Sequence, residues 1–556
     1  DLVAAVLDEA AKFASGVLSP LNTIGDLNAA VCKDNAVQET MGFAAAYRQF
    51  VDGGWVALPC NPEYGGMGLP ESVGMASMEM WTAANISFAL CPMLGQGAIG
   101  AIEAHASDEL KNIFLEKMVS GQWTGSMNLT EPQAGSDLAA VRSKAVPEDD
   151  HYRISGTKIF ITWGDHQMTD NIVHLVLART PDAPEGVKGI SLFIVPKFLV
   201  NDDGSLGERN DAYAVSVEHK MGIHASPTCV MSFGENTGAL GYLIGEENKG
   251  LAYMFTMMNH ARLNVGVQGV ALADRAYQQA VSYARERVQG VAVGDVEKGT
   301  IIHHPDVRRM LMVMRSLTEA SRALCYVSAS AFDVAHHGLD GEGRKWANAR
   351  GELLTPIAKG WSTEISQEVA SLGVQIHGGM GFVEETGAAQ TMRDTRITTI
   401  YEGTTGIQAN DLIGRKLIRD GGGELNRLLA DIRATQVEVA AVGEEMASIA
   451  AALADGVDSL EGVANWVISH QLDNPQLPAA VAVNFLMAAG TIVGGWLLAK
   501  AAMIAKAKMA EDQAFYGAKV ITARFYAEQI MPRVAAYVKA AESGSDMTMA
   551  LNDDQF

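Results

Sequence analysis

The sequence predicts an α+β protein in which one small β domain lies between two helical domains and a third helical domain follows. Three observations support this prediction. Apolar residues recur at helical spacing up to about residue 122, and again from about residue 251 to 419. Short β-rich runs separated by turn residues lie between these segments, as expected for a small antiparallel barrel or sandwich. After Gly421-Gly422-Gly423 the chain is rich in Ala and Met and again has a helical pattern.

These changes of pattern set the expected domain boundaries. We expect an N-terminal helical domain over 1–122, a β domain over 123–243, a second helical domain over 244–420 and a C-terminal helical domain over 421–556. The clearest predicted helices are 2–14, 98–119, 306–334 and 356–372, and a break is expected near 473–478. The clearest predicted strands are 159–162, 172–178, 189–195, 214–217 and 229–233.

The composition narrows the range of partners. The 42 Lys and Arg residues against 65 Asp and Glu residues give a net charge of −23, which repels nucleic acid and anionic membranes. We therefore expect neither as a partner. The 5 cysteines are widely spaced and form no C-x-x-C pair, which indicates reduced thiols, no metal site and a cytoplasmic protein.

One apolar run resembles a membrane span. Residues 479–499 carry no charge and are long enough to cross a bilayer. However, the run is rich in Ala and Gly, whose transfer to lipid gains little, and its helical pattern continues into Lys500 and Lys506. We therefore predict a buried helix there.

Two common kinds of active-site motif are absent from the sequence. It has no P-loop and no G-x-S-x-G, which argues against a P-loop phosphoryl transferase and a standard hydrolase. One G-x-G-x-x-G occurs at 95–100, but no βαβ pattern surrounds it, so we expect a loop that opens a helix rather than a dinucleotide site. Adjacent histidines at 303–304 and 336–337 point in different directions on a helix and are poor metal chelates.

Two stretches of the β domain suit a polar ring or a phosphate. Residues 127–137 read MNLTEPQAGSD, a short strand followed by a turn rich in hydroxyl and backbone N–H groups. Residues 158–164 read KIFITWG, a strand in which Thr162 lies between aromatic residues. Taken alone, each stretch is equally compatible with an ordinary turn or a buried strand.

A third group of motifs lies in the second helical domain. Residues 375–382 read QIHGGMGF, residues 392–394 read MRD, and residues 400–408 read IYEGTTGIQ. The glycines allow a ligand to approach the backbone closely. Glu402 stands in a turn before a helix, where a carboxylate either complements the helix dipole or serves as a placed base.

Taken together and in this order, the motifs resemble those of the acyl-CoA dehydrogenase family over roughly residues 2–417. The appended C-terminal domain is similar to that of a longer bacterial branch. The resemblance implies FAD-dependent α,β-dehydrogenation of a short acyl-CoA thioester, for which we expect 3-methylmercaptopropionyl-CoA. It also implies an electron-transferring flavoprotein as electron acceptor and a homo-oligomer that is at least a dimer.

The resemblance also assigns the ligand contacts. Residues 160–162 would cover the flavin ring, whereas Arg287 and the Gln375 segment would reach the FAD of a neighbouring subunit. The expected FAD contacts are Leu129, Thr130, Gly135, Ser136, Phe160, Ile161, Thr162, Arg287, Gln375, Gly378, Gly379 and Thr404. The expected substrate contacts are Ser136, Arg262, Tyr401 and Gly403.

Glu402 matches the family's catalytic base. It would remove the α-proton of the thioester while the β-hydrogen leaves as hydride. Because that proton is weakly acidic, hydrogen bonds must stabilise an enolate-like oxygen, and the resemblance assigns them to a flavin ribityl hydroxyl and to the base's own N–H. Burial would raise the pKa of Glu402, whereas the helix N-terminus and Arg262 would lower it.

The sequence departs from the family pattern at two places. An insertion follows Arg287 and ends at residues 303–305, and Gly406 stands where many members have Gln. Both departures affect contacts expected at the adenine end of FAD.

Two alternative functions share this fold. An acyl-CoA oxidase passes its electrons to oxygen, and a flavin-bearing DNA-associated protein binds nucleic acid, although the net charge of −23 disfavours the latter. Two roles are also possible for three methionines near Arg262. Met254, Met257 and Met258 either line a pocket for a thioether or fill the helical core.

Overall fold

A computed structural model describes residues 2–338 and 340–556 of the chain. They form two compact units, Asp1–Asn264 and Val265–Phe556. This division falls inside a helix, so it follows the compactness of the chain rather than the changes of sequence pattern. The predicted division into four domains stays a prediction.

The first unit begins with helices. They are α1 (Leu2–Phe13), α2 (Ser19–Leu27), α3 (Phe43–Asp52), α4 (Glu71–His105) and α5 (Asp108–Val119), with a π-helical segment, Ala14–Leu18, between α1 and α2. The predicted helix 98–119 is two helices, because Ser107 starts a new one: its hydroxyl accepts the Leu110 N–H. A short hairpin of β1 (Val31–Lys33) and β2 (Ala36–Gln38) was not predicted.

The prediction that residues 95–100 open a helix was wrong. These residues lie within α4, and their glycines are used for close packing instead. A Cβ at Gly97 would lie 3.0 Å from Met257 Cγ, and a Cβ at Gly125 would lie 3.3 Å from Gly95 Cα. The small residues therefore let α4 approach its neighbours within the first unit.

The β domain of the first unit contains one eight-stranded sheet. Its strands are β3 (Trp123–Asn128), β4 (Lys144–Glu148), β5 (His151–Thr162), β6 (Asn171–Ala178), β7 (Ser191–Pro196), β10 (Ala212–Val217), β11 (Thr228–Phe233) and β12 (Ala239–Leu243), and β8 (Phe198–Val200) and β9 (Leu206–Arg209) form a separate hairpin. The strand order is β10-β11-β5-β12-β7-β6-β3, with β4 paired to β5, and β3 and β6 pair in parallel. All five predicted strands are present.

The second unit is helical. Its first helix, α6 (Gly250–Glu286), begins in the first unit. The others are α7 (Pro305–His337), α8 (Gly341–His377), α9 (Ala388–Thr395), α10 (Thr405–Asp411), α11 (Gly423–Val442), α12 (Ala447–His470), α13 (Leu477–Ala507), α14 (Gln513–Phe525) and α15 (Arg533–Glu542). The predicted start at Pro356 was wrong, because α8 accommodates this proline in its interior.

The helix α13 contains the apolar run 479–499. It and α4 are the described helices long and apolar enough to cross a membrane, yet 83% and 89% of their apolar windows are buried inside the protein. Gly490 of α13 packs against Trp361 of α8, where an added Cβ would lie 2.2 Å from Trp361 Cγ. The predicted buried helix is confirmed.

Candidate active site

The β-domain turn, residues 129–136, leaves the end of β3 beside the end of β5. The Ile159 N–H donates to the Thr130 carbonyl at 2.9 Å, and Glu131 and Ala134 form a tight backbone bridge. Gly135 and Ser136 follow and are exposed, and a Cβ at Gly135 would meet nothing within 4 Å. The fold thus brings the predicted cofactor residues of this turn beside those of β5.

Phe160 is presented to the surface by a β-bulge. Between Lys158 and Ile161, β5 contains one residue more than its partner β11, and Phe160 has a φ of +59°. Phe160 is 59% exposed, whereas Lys158 and Ile161 are buried. Bulges redirect side chains in this way beside functional sites. The partly exposed hydroxyls of Thr130 and Thr162 have no hydrogen-bond partner in the part of the chain that the structure describes.

A buried ion pair between Lys158 and Glu131 fixes the β-domain turn. Lys158 Nζ lies 2.8 Å from Glu131 Oε1 and donates to the Leu129 carbonyl at 3.1 Å. Glu131 also accepts the N–H groups of Arg142 and Ser143 and the Ser143 hydroxyl. Burial alone would raise the pKa of Glu131, but Lys158 and these hydrogen bonds lower it to about 2. The carboxylate is therefore ionised at neutral pH.

The Glu402 turn, residues 401–405, precedes α10. Glu402 and Gly403 both have positive φ, +55° and +87°. The left-handed conformation costs a non-glycine residue about 1–2 kcal/mol. At position 403 a Cβ would also lie 2.7 Å from Gln408 Nε2, so glycine is needed there. Backbone strain held by its surroundings is typical of functional sites, and here it falls on the predicted base.

Two side chains hold this turn through its backbone. Lys359, which is fully buried on α8, donates to the Gly403 carbonyl at 2.7 Å. Gln408, also fully buried, donates to the carbonyls of Glu402 at 3.0 Å and Gly403 at 3.4 Å. Thr404, predicted as a cofactor contact, caps α10 by accepting the Ile407 N–H at 3.3 Å.

The side chain of Tyr401, a predicted substrate contact, is held by a hydrogen bond. Its hydroxyl donates to Gln268 Oε1 within the second unit. Burial raises the pKa of Tyr401, and the charge of Glu402 raises it further. Tyr401 is therefore a neutral donor, whose ring orientation is set by this bond.

Four further predicted contacts, Arg287, Gln375, Gly378 and Gly379, lie at or near helix ends, whereas Arg262 lies inside α6. Arg287 follows α6 and Gln375 lies in the last turn of α8, and both are exposed. A Cβ at Gly378 or at Gly379 would meet nothing within 4 Å, which leaves the backbone there accessible. Arg262 is buried on α6, with its guanidinium 5.8 Å from the centre of the Phe255 ring. Its role beside substrate stays a prediction.

The methionines before Arg262 differ in burial. Met254 and Met257 are fully buried, and Met257 packs at Gly97. This packing favours a core-filling role for Met257. Met258 is half-buried.

Sequence reasoning did not identify Lys158, Glu131, Lys359, Gln408 or Gln268 as parts of the site. Glu131 stands inside the MNLTEPQAGSD motif and Gln408 at the end of IYEGTTGIQ, so proximity to a motif was the available signal. Lys158 likewise begins the KIFITWG stretch, whereas Lys359 lies in none of these motifs. Within the described ranges, no group of three or more His, Cys, Asp or Glu residues could hold a metal ion.

The comparisons with known proteins agree with this architecture. Family models described as the N-terminal, middle and C-terminal domains of acyl-CoA dehydrogenase match residues 4–122, 126–235 and 248–418. A model described as acetyl-CoA dehydrogenase C-terminal like matches residues 428–552. The chain belongs to the acyl-CoA dehydrogenase family, and it is an FAD-dependent oxidoreductase.

Individual relatives and a solved structure show which acyl-CoA dehydrogenases the chain is similar to. The 3-methylmercaptopropionyl-CoA dehydrogenase of Ruegeria pomeroyi is 49% identical over 98% of this chain and 93% of that protein. A butyryl-CoA dehydrogenase of Syntrophomonas wolfei is 38% identical over 86% of this chain and 81% of that protein. The structure of an acyl-CoA dehydrogenase from Bacillus anthracis, complexed with FAD, has a TM-score of 0.79 at 22% identity and covers 100% of this chain and 89% of that one. That likeness confirms the fold.

The residues present fit FAD. The exposed Phe160 shares β5 with Thr162, and its neighbour Ile159 is hydrogen-bonded to Thr130; among the described residues neither threonine hydroxyl has a hydrogen-bond partner. A planar ring would cover the exposed phenyl group and accept or donate hydrogen bonds at these hydroxyls. Gly135 leaves room for the backbone to approach a phosphate.

Proposed function

We propose that this protein dehydrogenates a short acyl-CoA thioester between Cα and Cβ, with Glu402 as the base. The observation that carries the base assignment is the Glu402 turn, in which a half-buried carboxylate has a strained backbone held by two buried donors. The proposed substrate is 3-methylmercaptopropionyl-CoA, and the product is methylthioacryloyl-CoA. This choice is supported by 49% identity over nearly the whole chain to the Ruegeria enzyme.

In the proposed mechanism the Glu402 turn acts on the substrate, and the β-domain turn holds the cofactor. Glu402 takes the α-proton, and its backbone N–H donates to the thioester oxygen, where negative charge develops. Bound FAD would supply the acceptor for the β-hydrogen, which leaves as hydride. Thr130, Thr162 and Phe160 hold the flavin end of the cofactor, together with Leu129, Gly135, Ser136 and Ile161. Arg262, Ser136, Tyr401 and Gly403 contact the acyl-CoA.

The remaining FAD contacts are proposed between subunits. Arg287, Gln375, Gly378 and Gly379 hold the adenine end, and Thr404 adds a contact beside the base. Such a shared site requires at least a homodimer. The electron acceptor is an electron-transferring flavoprotein, the enzyme is cytoplasmic, and its proposed substrate places it in dimethylsulfoniopropionate catabolism.

Anaerobic titration of the purified yellow protein with a panel of acyl-CoAs tests the reaction and its substrate. The thioether substrate should bleach the flavin fastest, and valeryl- and butyryl-CoA should react more slowly, because replacing sulfur by methylene in an apolar pocket changes the barrier by only ~1–3 kcal/mol. A preference for palmitoyl-CoA with no reaction of the thioether would contradict the substrate. Absence of bleaching by every acyl-CoA would contradict the reaction.

Two further measurements test the partners. Reduction of an electron-transferring flavoprotein without release of peroxide is expected, whereas stoichiometric peroxide would make the protein an oxidase. Arg287→Ala should weaken FAD retention and dimer formation together, because a phosphate would lose its charged partner. A monomer that retains full FAD, seen by light scattering and absorbance on one sample, would contradict the shared site.

A further inference from the structure

The Glu402 turn needs an external constraint, because its conformation is unfavourable by itself. Two successive residues have positive φ, and the first of them is not glycine. A carboxylate that removes a proton has to hold its position to a fraction of an ångström, since small displacements lower reaction rates strongly. The groups that fix this backbone therefore bear on the rate of proton transfer.

Lys359 provides one such constraint. A lysine is rarely buried completely, since its ammonium loses hydration. Here the side chain is 0% exposed, and its Nζ donates to the Gly403 carbonyl at 2.7 Å. The contact fixes the peptide that follows Glu402, so a desolvated cation is placed directly against the catalytic turn.

Gln408, on α10, provides a second constraint on the same turn. Its amide nitrogen reaches the Glu402 carbonyl at 3.0 Å. The amide oxygen is buried and has no hydrogen-bond partner among the described residues. The side chain is thus oriented for donation to the turn although its own acceptor stays unsatisfied, which is unfavourable in a buried site.

We propose that Lys359 and Gln408 are positioning residues for proton abstraction: they hold the backbone of Glu402 in its left-handed conformation and thereby aim its carboxylate. This inference rests on the proposed role of Glu402 as base. Both donate to backbone carbonyls of the turn, Lys359 to that of Gly403 and Gln408 to those of Glu402 and Gly403.

Exchange of the α-hydrogens of a bound thioester for deuterium from D2O distinguishes a positioning role from a general loss of folding. The probe is (methylthio)acetyl-CoA, in which sulfur replaces Cβ, so that there is no β-hydrogen to transfer and exchange reports the base alone. Lys359→Met and Gln408→Leu remove the donors while keeping apolar volume. Each should slow exchange by about 10²-fold in the FAD-loaded holoenzyme, with FAD content and probe affinity close to those of the unmodified protein.

Two reference variants make the outcomes distinguishable. Ser366→Ala, on the same helix α8, removes a buried hydroxyl whose one hydrogen bond among the described residues is to the Thr363 carbonyl, so exchange should be unchanged. Glu402→Gln should abolish exchange, and rapid exchange in that variant would overturn the proposed base itself. If Glu402→Gln abolishes exchange but Lys359→Met and Gln408→Leu exchange normally, the positioning role is wrong. If Lys359→Met fails to fold, Gln408→Leu decides by the same criterion.

Discussion

The β-domain turn and the Glu402 turn are held in similar ways but differ in how their carboxylates are used. In each turn a fully buried lysine donates to a backbone carbonyl: Lys158 to Leu129, and Lys359 to Gly403. In the β-domain turn the lysine also pairs with Glu131, which is 3% exposed and has a pKa of about 2. In the Glu402 turn the donors bind main-chain carbonyls, and the carboxylate is half-buried.

The difference shows how similar motifs acquire opposite functions. Glu131 and Glu402 each stand in a short turn beside Gly- and Thr-containing sequence. Glu131 accepts hydrogen bonds from four residues, Gln133, Arg142, Ser143 and Lys158, and stays ionised, so it is a structural anion. The Glu402 turn is held by buried donors to the carbonyls of Glu402 and Gly403, and Glu402 is half-buried whereas Glu131 is buried. The greater exposure suits a group that must gain and lose a proton.

The largest expected effect comes from changing the base. Glu402→Gln should retain FAD, because the side chains are nearly isosteric, but should lower turnover by at least ~10³. Steady-state kinetics and flavin absorbance on the same preparation measure both properties. Turnover close to that of the unmodified enzyme would assign the base to another carboxylate and remove the contrast between the two turns.

The next largest effect concerns the ion pair under the β-domain turn. Lys158→Met should destabilise the protein by about 3–5 kcal/mol and lower FAD content, because it leaves Glu131 buried without its cation. Adding Glu131→Leu should recover part of the loss, since apolar replacement of a buried ion pair is often tolerated. Unfolding in urea, followed by circular dichroism, measures the free energy.

Lys519→Met provides the control for this variant. That lysine forms an ion pair with Glu319 in the second unit, and its side chain is 29% exposed. Loss of a partly exposed pair should cost no more than about 1 kcal/mol. Equal losses in Lys158→Met and Lys519→Met would show that the buried pair has no special structural role.

Acid should weaken the β-domain turn through Glu131. The pKa of Glu131 in the folded protein, about 2, lies below its ordinary value of 4.5. The carboxylate therefore contributes stability that is fully present above pH 4.5 and is lost as the pH falls through 2, about 3 kcal/mol in all. Glu131→Gln should lose less stability between pH 6 and pH 3 than the unmodified protein. An identical loss in both would exclude this carboxylate as the cause.

The residues proposed to contact ligands lie in motifs that the sequence displays, whereas the buried residues that hold these turns could not be predicted. Thr130, Phe160 and Glu402 lie in short ordered motifs, and Gly or Thr neighbours mark the turns. Lys158 begins the KIFITWG stretch and Lys359 lies outside every motif, but neither was expected to be buried, since a lysine in a strand or helix is usually at the surface. Their burial depends on strands and helices distant in the chain, which helical and strand periodicity do not encode.

The same limit applies to the fold. Periodicity predicted the central strands and the buried α13, because each carries its own apolar pattern. It failed at residues 95–100 and at Pro356, where glycine and proline suggested helix starts. At residues 95–100 the glycines serve close packing inside α4. At Pro356 the long helix α8 accommodates the proline in its interior.

The smallest expected effect tests whether the C-terminal domain supports the Glu402 turn. Gly490→Ala on α13 would place a Cβ 2.2 Å from Trp361 Cγ, and Trp361 lies two residues after Lys359 on α8. Such overpacking typically costs ~1–3 kcal/mol and displaces the backbone. We therefore expect turnover to fall by about 10-fold, in line with a displacement well below 1 Å, while FAD content stays normal. Stopped-flow flavin reduction and absorbance measure these effects.

Gly462→Ala is the matched control, because an added Cβ on α12 would meet nothing within 4 Å. This change should stabilise the helix by roughly 0.5–1 kcal/mol and leave turnover unchanged. If Gly490→Ala and Gly462→Ala turn over equally fast, α13 does not transmit its packing to Lys359. If Gly490→Ala loses FAD in proportion to its activity, the disturbance is general. A slower enzyme with full FAD would show that the appended domain acts on the Glu402 turn through α8, the helix that carries Lys359.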